Sequence, residues 1–266
     1  MDSRTLARRR SDSSGFIQTD VDIDTLAEEI FSRYVGEQGI VIDGAPYTAT
    51  YFRREYCPDL RVMKLAGELA LAINRHALEE RGREGAIAPL RVTVPEIMLA
   101  ALLHDLGKQH EDCAPFLDLL KHHDLRGDPG VDGALSIVRD VHCRKGPCMI
   151  DRLRDAGRPE LSNAFIGTVA RRHGEDYRTN RCTGQGCWWA REINVVTIAD
   201  DYDAMTSAGP ERAYKSKNLS PQDAAVLLRS GAERGRYEPR ITVIFITNVL
   251  PPRSAAPRES PEPGSA

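Results

Sequence analysis

The chain has 266 residues, of which 41% are hydrophobic and only 6% aromatic, so its core must be built mainly from Ala, Leu, Ile and Val. That composition favours packed helices over a β-sandwich. The formal net charge of −3 argues against polymeric nucleic acid as the main partner. No apolar run reaches the roughly 18 residues of a membrane span. Residues 1–15 lack the apolar centre of a secretory signal, so we expect a cytoplasmic protein.

The composition changes at both ends of the chain. Residues 1–20 are rich in Ser, Asp and Arg, and residues 251–266 are rich in Pro, Ser and Glu, so we expect both segments to be disordered. Between them, residues 21–250 carry apolar side chains at helical spacing, without an internal repeat or a glycine-rich phosphate loop. The sequence therefore predicts a single all-α domain over residues 21–250.

The first predicted helices begin at recognisable capping residues. The run "IDTLAEEIFSRYV" has Asp24 or Thr25 as its cap, and "DLRVMKLAGELALAINRHALEERG" is predicted to be the longest helix. "TVPEIMLAALLHDLGK" begins with Thr93 and Pro95, a cap followed by a first-turn proline. Near the end of the chain, "SPQDAAVLLRSGAERG" begins in the same way, with Ser220 as its cap.

Glycine and proline divide the second half of the chain. "VDGALSIVRDVHC", "PCMIDRLRDAG" and "RPELSNAFIGTVARRHG" are predicted as separate helices, because glycine or proline breaks each pattern. "WWAREINVVTIADDYDAMTS" is predicted as a further helix. The last run, "ITVIFITNVL", is β-branched, and its propensity alone favours a strand.

The predicted helix that contains "LAALLHDLGKQH" carries two ionisable residues, His104 and Asp105, directly after an apolar run. Buried ionisable groups persist where they are paired or bound to a metal. An imidazole nitrogen can bind one divalent ion while the neighbouring carboxylate bridges to a second. Two residues supply too few ligands, so we expect further ligands at other helix ends.

Three residues meet that expectation, because each ends an apolar helical run: His142 ends "ALSIVRDVH", His173 ends "FIGTVARRH" and Asp200 ends "INVVTIAD". A plain hydrophobic core does not produce four apolar runs that each end in a residue type able to bind a metal. Asp201 and Asp203 compete with Asp200 for the last position, and the helical period favours Asp200.

This order of His-Asp, His, His and Asp resembles the HD superfamily of metal-dependent phosphohydrolases. More narrowly, "LLHDLGK" (102–108) and "IADDYDAMTS" (198–207) are similar to signatures of its HD-GYP branch, whose characterised members cleave cyclic di-GMP. "HCRKG" (142–146) and "HGED" (173–176) are similar to the motifs between them. The resemblance covers roughly residues 58–250 and implies an HD-domain helical bundle. It also implies a helix for the last run, and we adopt the helix over the strand.

The resemblance further implies a phosphohydrolase that activates water with a divalent transition-metal centre of two ions, such as iron or manganese. The implied metal ligands are His104, Asp105, His142, His173 and Asp200. Asp105 would bridge the ions, with His104 and Asp200 on one and His142 and His173 on the other. Lys108 is implied as a catalytic cation that contacts the phosphate, and the further phosphate contacts implied are Arg212 and Lys215.

The chain departs from the family pattern at three places. Pro58, with Asp59 beside it, stands where the first long helix usually begins with a histidine, and Gly174 replaces the second histidine of the His-His-Glu motif. "RCTGQGC" takes the place of the Gly-Tyr-Pro signature. A three-metal site is therefore not expected. A two-metal site completed by Asp59, water or substrate stays open, as do a single-metal site and an inactive one.

The same resemblance leaves several functions open. A cyclic dinucleotide is the favoured substrate, by resemblance only, and another nucleotide or phosphoester is the enzyme alternative. A degenerate HD domain that binds a nucleotide or a protein partner and cleaves nothing is the alternative from another class. A homo-oligomer or a signalling partner also stays open.

Three further features carry additional hypotheses. Four cysteines repeat a spacing that can bind zinc or form a regulatory disulfide, although reduced thiols are the default: Cys143, Cys148, Cys182 and Cys187. His122 and His123 imitate the His-Asp motif and are interpreted as solvated loop residues. Trp188 and Trp189 are expected to pack, with stacking on a guanine base as the alternative.

Overall fold

The described part of the chain is almost wholly helical, which confirms the predicted all-α fold class. A computed structural model describes residues 17–35, 40–42, 45–47, 58–113, 115–117, 129–182, 188–207 and 218–250. Most of the two predicted tails, and the phosphate-contact candidates Arg212 and Lys215, lie outside the described residues, as do His122 and His123.

The α-helices of the described ranges are α1 (Ile23–Tyr34), α2 (Pro58–Glu79), α3 (Val94–Leu103), α4 (Pro129–Asp155), α5 (Ala164–Arg172), α6 (Tyr177–Cys182), α7 (Ala190–Thr206), α8 (Pro221–Glu233) and α9 (Pro239–Ile244). Short 3₁₀ turns lie at Leu106–Gln109 and Pro159–Ser162, and a π-helical turn, Phe245–Val249, continues α9. Two short strands, β1 (Ile40–Ile42) and β2 (Ala45–Tyr47), pair in antiparallel fashion with Ile40 opposite Tyr47. The fold that positions the site is therefore built from helices alone.

Side-chain caps begin two helices at the residues that the sequence predicted. Thr93 and Glu96 form a reciprocal capping box at the start of α3, and the Ser220 side chain caps α8, both as predicted. The predicted cap of α1, Asp24 or Thr25, was wrong by two or three residues. Asp22 caps this helix, because its carboxylate accepts hydrogen bonds from the backbone amides of Asp24 and Thr25 at 3.0 and 3.2 Å.

The last apolar run is helical, so the strand that its propensity favours does not form. The Glu238 side chain accepts a hydrogen bond from the Ile241 amide, and Pro239 occupies the first turn of α9. Ile241, Ile244 and Phe245 are then buried at helical spacing. A cap and one apolar face therefore outweigh β-branched propensity here, as tertiary burial often does.

Helix α4 corrects the prediction that glycine and proline split this region into two helices. It runs without interruption through Gly146 and Pro147, and its 27 residues make it longer than the 22-residue α2, which was predicted to be the longest. Proline inside a helix removes one backbone hydrogen bond. Close packing offsets that loss, because Gly146 lies against Ala170 of α5, where an added Cβ would be 3.1 Å from the alanine Cβ.

The core is centred on α3, which is buried on every side from Ile97 to Leu103. A helix that is apolar all round belongs at the centre of a domain, and α3 packs against α2, α5 and α7. Its C-terminus therefore delivers the residues that follow it, His104 and Asp105, into the interior. No helix of the described ranges combines the length and apolar character required to cross a bilayer.

Candidate metal centre

Four helices bring the five predicted metal ligands together. His104 ends α3 and Asp105 follows it, His142 lies within α4, His173 ends α5, and Asp200 lies within α7. Two of these therefore sit inside helices rather than at the helix ends that the sequence suggested. The three imidazoles and Asp105 are each at most 5% exposed, so the cluster lies beneath the surface.

A glycine sets the distance between Asp105 and α4. A Cβ on Gly107 would lie 2.0 Å from the carbonyl oxygen of His142 and 2.7 Å from the amide nitrogen of Gly146, far inside van der Waals contact. Only glycine lets the 3₁₀ turn rest directly on the backbone of α4. The Asp-Leu-Gly order of the motif therefore positions the carboxylate of Asp105 beside the ring of His142.

Each histidine of the cluster uses its Nδ1 atom to contact the helix that carries it. Nδ1 of His104 lies 2.6 Å from the Ala101 carbonyl, Nδ1 of His142 lies 2.6 Å from the Val138 carbonyl, and Nδ1 of His173 lies 3.1 Å from that of Val169. A carbonyl can only accept a hydrogen bond, so each Nδ1 must carry a proton. In a neutral ring, Nε2 is then left with a lone pair, the state that binds a metal.

The Nε2 atoms converge on the two oxygens of Asp105 in two groups. Oδ1 of Asp105 lies 3.2 Å from Nε2 of His142 and 3.6 Å from Nε2 of His173, and these two nitrogens are 3.1 Å apart. We name this group the imidazole subsite. Oδ2 of Asp105 lies 3.5 Å from Nε2 of His104, which is also 3.5 Å from Oδ1 of Asp200. We name that second group the acidic subsite.

The atoms of the imidazole subsite need a cation between them. Two lone-pair nitrogens and a carboxylate oxygen face one another, and three acceptors at this distance repel unless a proton or a metal ion lies between them. Within the described residues, Oδ1 of Asp105 and Nε2 of His104 have no hydrogen-bond partner. Ligands about 2.1 Å from one ion lie about 3.0–3.4 Å apart, close to the spacings observed here. The cluster can therefore hold a metal ion.

The two subsites differ in charge when no metal is bound. Burial disfavours the protonated ring, yet the carboxylates of Asp105 and Asp200 outweigh it and raise the pKa of His104 to about 10. Burial lowers the pKa of His142 to about 3, so that ring stays neutral. Burial opposes ionisation of Asp105 as well, but Lys108 and His104 hold its pKa well below the usual value. Without a metal, the raised pKa therefore favours a positively charged His104 ring in the acidic subsite at neutral pH.

Asp59, the residue that stands beside the missing family histidine, belongs to the surroundings of the acidic subsite. It is 1% exposed, and its Oδ2 atom has no hydrogen-bond partner among the described residues. Burial raises its pKa to about 7, and the nearby carboxylates of Asp105 and Asp200 add to the rise. A buried carboxyl with an unused oxygen is suited to complete a metal site.

Lys108 contacts the same cluster from the 3₁₀ turn. Its ammonium group forms an ion pair with Oδ2 of Asp105, one turn earlier in the chain, and the side chain is partly buried. The predicted contact between Lys108 and a phosphate remains a prediction. In the structure, the positive charge of this lysine neutralises the carboxylate that both subsites share.

The alternatives to Asp200 on α7 have other partners. Asp201 accepts hydrogen bonds from Arg236 and Tyr237, each at 2.9 Å. Asp203 pairs with Arg61 at 2.8 Å and accepts a hydrogen bond from Ser207, so it fixes the end of the helix. Asp200 is the carboxylate of the three that contacts His104.

Hydrogen bonds around the cluster fix the end of α5 against α7. The Thr197 hydroxyl, on α7, donates to the carbonyl of His173 at 2.7 Å. Arg236 donates to the carbonyl of Gly174 at 2.8 Å while also pairing with Asp201. These contacts position His173 relative to the helix that carries Asp200, as the surroundings of a metal ligand usually do.

An open cavity of about 540 Å³ adjoins the imidazole subsite. Cys143 and Gly174 lie in its wall, and Sγ of Cys143 is 3.4 Å from Nε2 of His142. Three arginines also line it: Arg139, Arg144 and Arg171. Sequence reasoning missed these arginines, although Arg139 precedes His142 by three residues and Arg171 precedes His173 by two. Their proximity to the ligands in the chain was the available signal.

The structure separates the remaining candidates from the cluster. Cys143 and Cys148 are both free thiols, and Cys148 is exposed. Their five-residue separation along α4 places Cys148 about 140° around the helix from Cys143. The thiols of Cys182 and Cys187 lie outside the described residues. Trp189 packs on Phe165, and Trp188 is 65% exposed beside Arg91. Both tryptophans precede α7, about 16 Å along its axis from Asp200, so stacking on a substrate held at the cluster is not favoured.

Comparison with known families gives no further assignment. No family model matches the chain, and a search of curated proteins found no match. The arrangement of the cluster is therefore the main structural basis for a function.

Proposed function

We propose that the chain is a metal-dependent phosphohydrolase that binds two divalent ions at the cluster and cleaves a phosphoester with metal-activated water. One observation supports this above the others: three imidazole Nε2 atoms converge on the two oxygens of a single buried carboxylate, Asp105. A carboxylate whose oxygens face separate ligand groups is suited to bridge two ions. The resemblance of residues 102–108 and 198–207 to HD-GYP signatures agrees with this proposal.

The residues of the chain have distinct roles in this proposal. When bound, divalent ions would supply hydroxide at neutral pH and withdraw charge from the phosphoryl oxygens. Asp105 joins the two subsites, and the Nδ1–carbonyl hydrogen bonds fix the ring orientations. Asp59 offers an unused oxygen to the acidic subsite. Lys108 adds a positive charge that complements a phosphate group.

The cavity beside the imidazole subsite supports an anionic substrate. Its volume of about 540 Å³ lies within the usual range for small-molecule sites. Arg139 and Arg171 line it without an ion-pair partner among the described residues, so their guanidinium groups remain available to a phosphate. Arginine binds phosphate oxygens through two parallel hydrogen bonds. An anionic phosphoester therefore suits this cavity better than a neutral ligand.

The substrate class follows from the resemblance rather than from the cavity. A cyclic dinucleotide is the favoured substrate, and another nucleotide or phosphoester is the enzyme alternative. A second candidate is an HD domain that binds a nucleotide or a protein and cleaves nothing. The glycine at position 174 favours that candidate, because it has no side chain to replace the second histidine of the family motif.

The proposal is tested by elemental analysis of protein purified without chelator, followed by assays on the same sample. The substrates are cyclic di-GMP, its linear product, 3′,5′-cyclic nucleotides, nucleoside triphosphates, an aryl phosphodiester and an aryl phosphomonoester. We expect one or two transition-metal ions per chain and metal-dependent release of phosphate or product from at least one diester. Asp105→Asn should lose the metal and lower the rate by about 1,000-fold, equivalent to about 4 kcal/mol.

The matched control is Asp112→Asn, which alters an exposed carboxylate in an ion pair with Lys145. This variant should keep both the metal and the activity. Nucleotide binding without turnover in metal-loaded protein would favour the binding module. Retention of the full metal content by Asp105→Asn would overturn the metal centre itself.

A further inference from the structure

We infer that Cys143 is the fourth ligand of the imidazole subsite, which makes that half of the cluster a mixed nitrogen, oxygen and sulfur site. This inference rests on the proposed metal centre and adds a ligand to it. Sγ of Cys143 lies 3.4 Å from Nε2 of His142. The ligand atoms of His142, Cys143 and His173 all lie within 4.8 Å of one another.

The distances from Nε2 of His142 to its three neighbours suit ligands of one ion. A metal bound at about 2.3 Å from sulfur and about 2.1 Å from nitrogen places these two atoms about 3.6 Å apart in tetrahedral geometry. The observed distances are 3.4 Å from Sγ to Nε2 of His142, 3.1 Å between the two imidazole nitrogens and 3.2 Å from Nε2 of His142 to Oδ1 of Asp105. Two imidazoles, a carboxylate and a thiolate would together supply the four ligands that a tetrahedral ion takes.

The local structure explains how adjacent residues of α4 reach the same point. The long imidazole of His142 extends back along α4 to Val138, whereas the short Cys143 side chain ends beside the Nε2 atom of that ring. The turn after His173 leaves room for the sulfur, because a Cβ on Gly174 would lie 3.7 Å from Sγ, an ordinary contact distance. Cys143 also lines the open cavity, so solvent, metal ions and reagents can reach the thiol.

A thiolate ligand changes the metal preference of the imidazole subsite. Soft sulfur and imidazole donors favour zinc, iron or cobalt over magnesium, calcium or manganese. The acidic subsite has oxygen donors and one imidazole, so it favours harder ions. The two subsites are therefore expected to select different metals, and Cys143 is the residue that distinguishes them.

The competing interpretation is a neutral Cys143 thiol that donates a weak hydrogen bond to Nε2 of His142. Optical spectroscopy of the cobalt(II)-loaded full-length protein separates the two interpretations. A cobalt–thiolate bond gives a near-ultraviolet charge-transfer band, which a hydrogen-bonded thiol lacks. We expect this band on titration of chelator-treated protein with cobalt(II), and we expect Cys143→Ser to lose it while keeping the visible ligand-field bands.

The matched control is Cys148→Ser, because Cys148 is an exposed thiol on the same helix. It should keep the charge-transfer band at full intensity. Persistence of the band in Cys143→Ser would overturn the inference, and so would wild-type protein that binds cobalt(II) without the band. Circular dichroism and thermal melting of each variant establish that a lost band does not reflect a lost fold.

A second measurement needs no substitution. Wild-type protein is alkylated with iodoacetamide, with and without bound zinc, and each cysteine is followed by peptide mass spectrometry. We expect zinc to slow the alkylation of Cys143 at least 10-fold while Cys148 reacts at the same rate in both samples. Equal rates at Cys143 with and without zinc would overturn the inference.

These results are distinguishable from failure of the proposed function. A thiolate band in protein that hydrolyses none of the phosphoesters supports the ligand role of Cys143 and counts against the enzyme. Metal-dependent hydrolysis without a thiolate band supports the enzyme and overturns the ligand role.

Discussion

The imidazole subsite and the acidic subsite share Asp105 but differ in the charge of their other side chains. The imidazole subsite joins α4 to α5, and burial lowers the pKa of its His142 ring. The acidic subsite joins α3 to α7, and its two carboxylates raise the pKa of the His104 ring that lies between them. The facing lone pairs of one half therefore call for an added cation, whereas the carboxylates of the other half favour a positive charge on His104 itself. This difference indicates that the two halves should bind metals with different affinity and pH dependence.

The largest expected effect comes from removing one ligand from each half. His173→Gln should lose the ion of the imidazole subsite and Asp200→Asn the ion of the acidic subsite, so each variant should hold one ion where wild-type holds two. Either change should lower hydrolysis at least about 100-fold, which corresponds to about 3 kcal/mol. Elemental analysis and the phosphoester assays measure both effects.

Two substitutions away from the cluster serve as controls for this pair. His76→Gln alters a ring that contacts Asn248, and Asp151→Asn alters a surface partner of Arg154. Both should keep the wild-type metal content. If His173→Gln and Asp200→Asn each lost all metal, the halves would act as one site and the distinction between them would fail.

The next largest effect is expected at Gly107, whose close contact with α4 positions Asp105, the residue that both subsites share. Gly107→Ala places a Cβ against the backbone of α4, which has no side chain to move aside, so the 3₁₀ turn must shift and carry Asp105 away from His142. We expect a loss of about 2–3 kcal/mol in unfolding free energy, together with weaker metal binding. Urea denaturation of chelator-treated protein measures the first effect.

Gly133→Ala, on α4, is the matched control, since an added Cβ there would meet no neighbouring element within 4 Å. It should be neutral or stabilising by up to about 1 kcal/mol, because alanine has the higher helix propensity. Equal destabilisation by both substitutions would contradict the argument that close approach requires glycine at position 107.

A third prediction concerns the pH dependence of stability, which follows from the raised pKa of His104. The pKa of His104 is raised to about 10 from an ordinary value of 6.5, so its contribution to stability is complete below pH 6.5 and is lost as the pH rises towards 10. Metal-free protein should therefore melt at a lower temperature at pH 9 than at pH 7, by about 3 °C for each 1 kcal/mol lost. Calorimetry of chelator-treated protein measures this shift.

Metal-loaded protein provides the comparison, because a metal ion replaces the proton on His104. Its melting temperature should change less over the same pH interval. Parallel curves for the two forms would mean that His104 does not carry the proton.

Local chemistry made much of the fold predictable from the sequence. Capping at Thr93 and Ser220 fixed the starts of two helices, and the apolar run before His104 indicated a buried helix end. The continuity of α4 was not predictable, because proline is unfavourable inside a helix. Packing of Gly107 and Ala170 against this helix, which sequence spacing does not reveal, stabilises it.

The candidate site was likewise predictable from the sequence only in part. Its histidines and aspartates could be found because each follows an apolar helical run. Cys143 could not be recognised as part of the cluster, because its proximity to His173 depends on how α4 packs against α5. The pairing of the four cysteines suggested by their spacing pointed towards Cys148 instead, which helical geometry turns to the surface.

The smallest effect is expected from the hydrogen bond that ties the imidazole subsite to the helix carrying Asp200. Thr197→Val keeps the shape of the side chain but removes the donor to the His173 carbonyl, at a cost of about 1 kcal/mol in stability. The affinity of the imidazole subsite for zinc should fall by up to about 10-fold, as is typical when the support of a ligand is lost. Zinc titration against a competing chelator measures this affinity. Thr206→Val, on the same helix, removes a hydroxyl that donates to the Tyr202 carbonyl within α7, so it should leave the affinity unchanged. Equal zinc affinity in the two variants would show that α7 positions the acidic subsite alone.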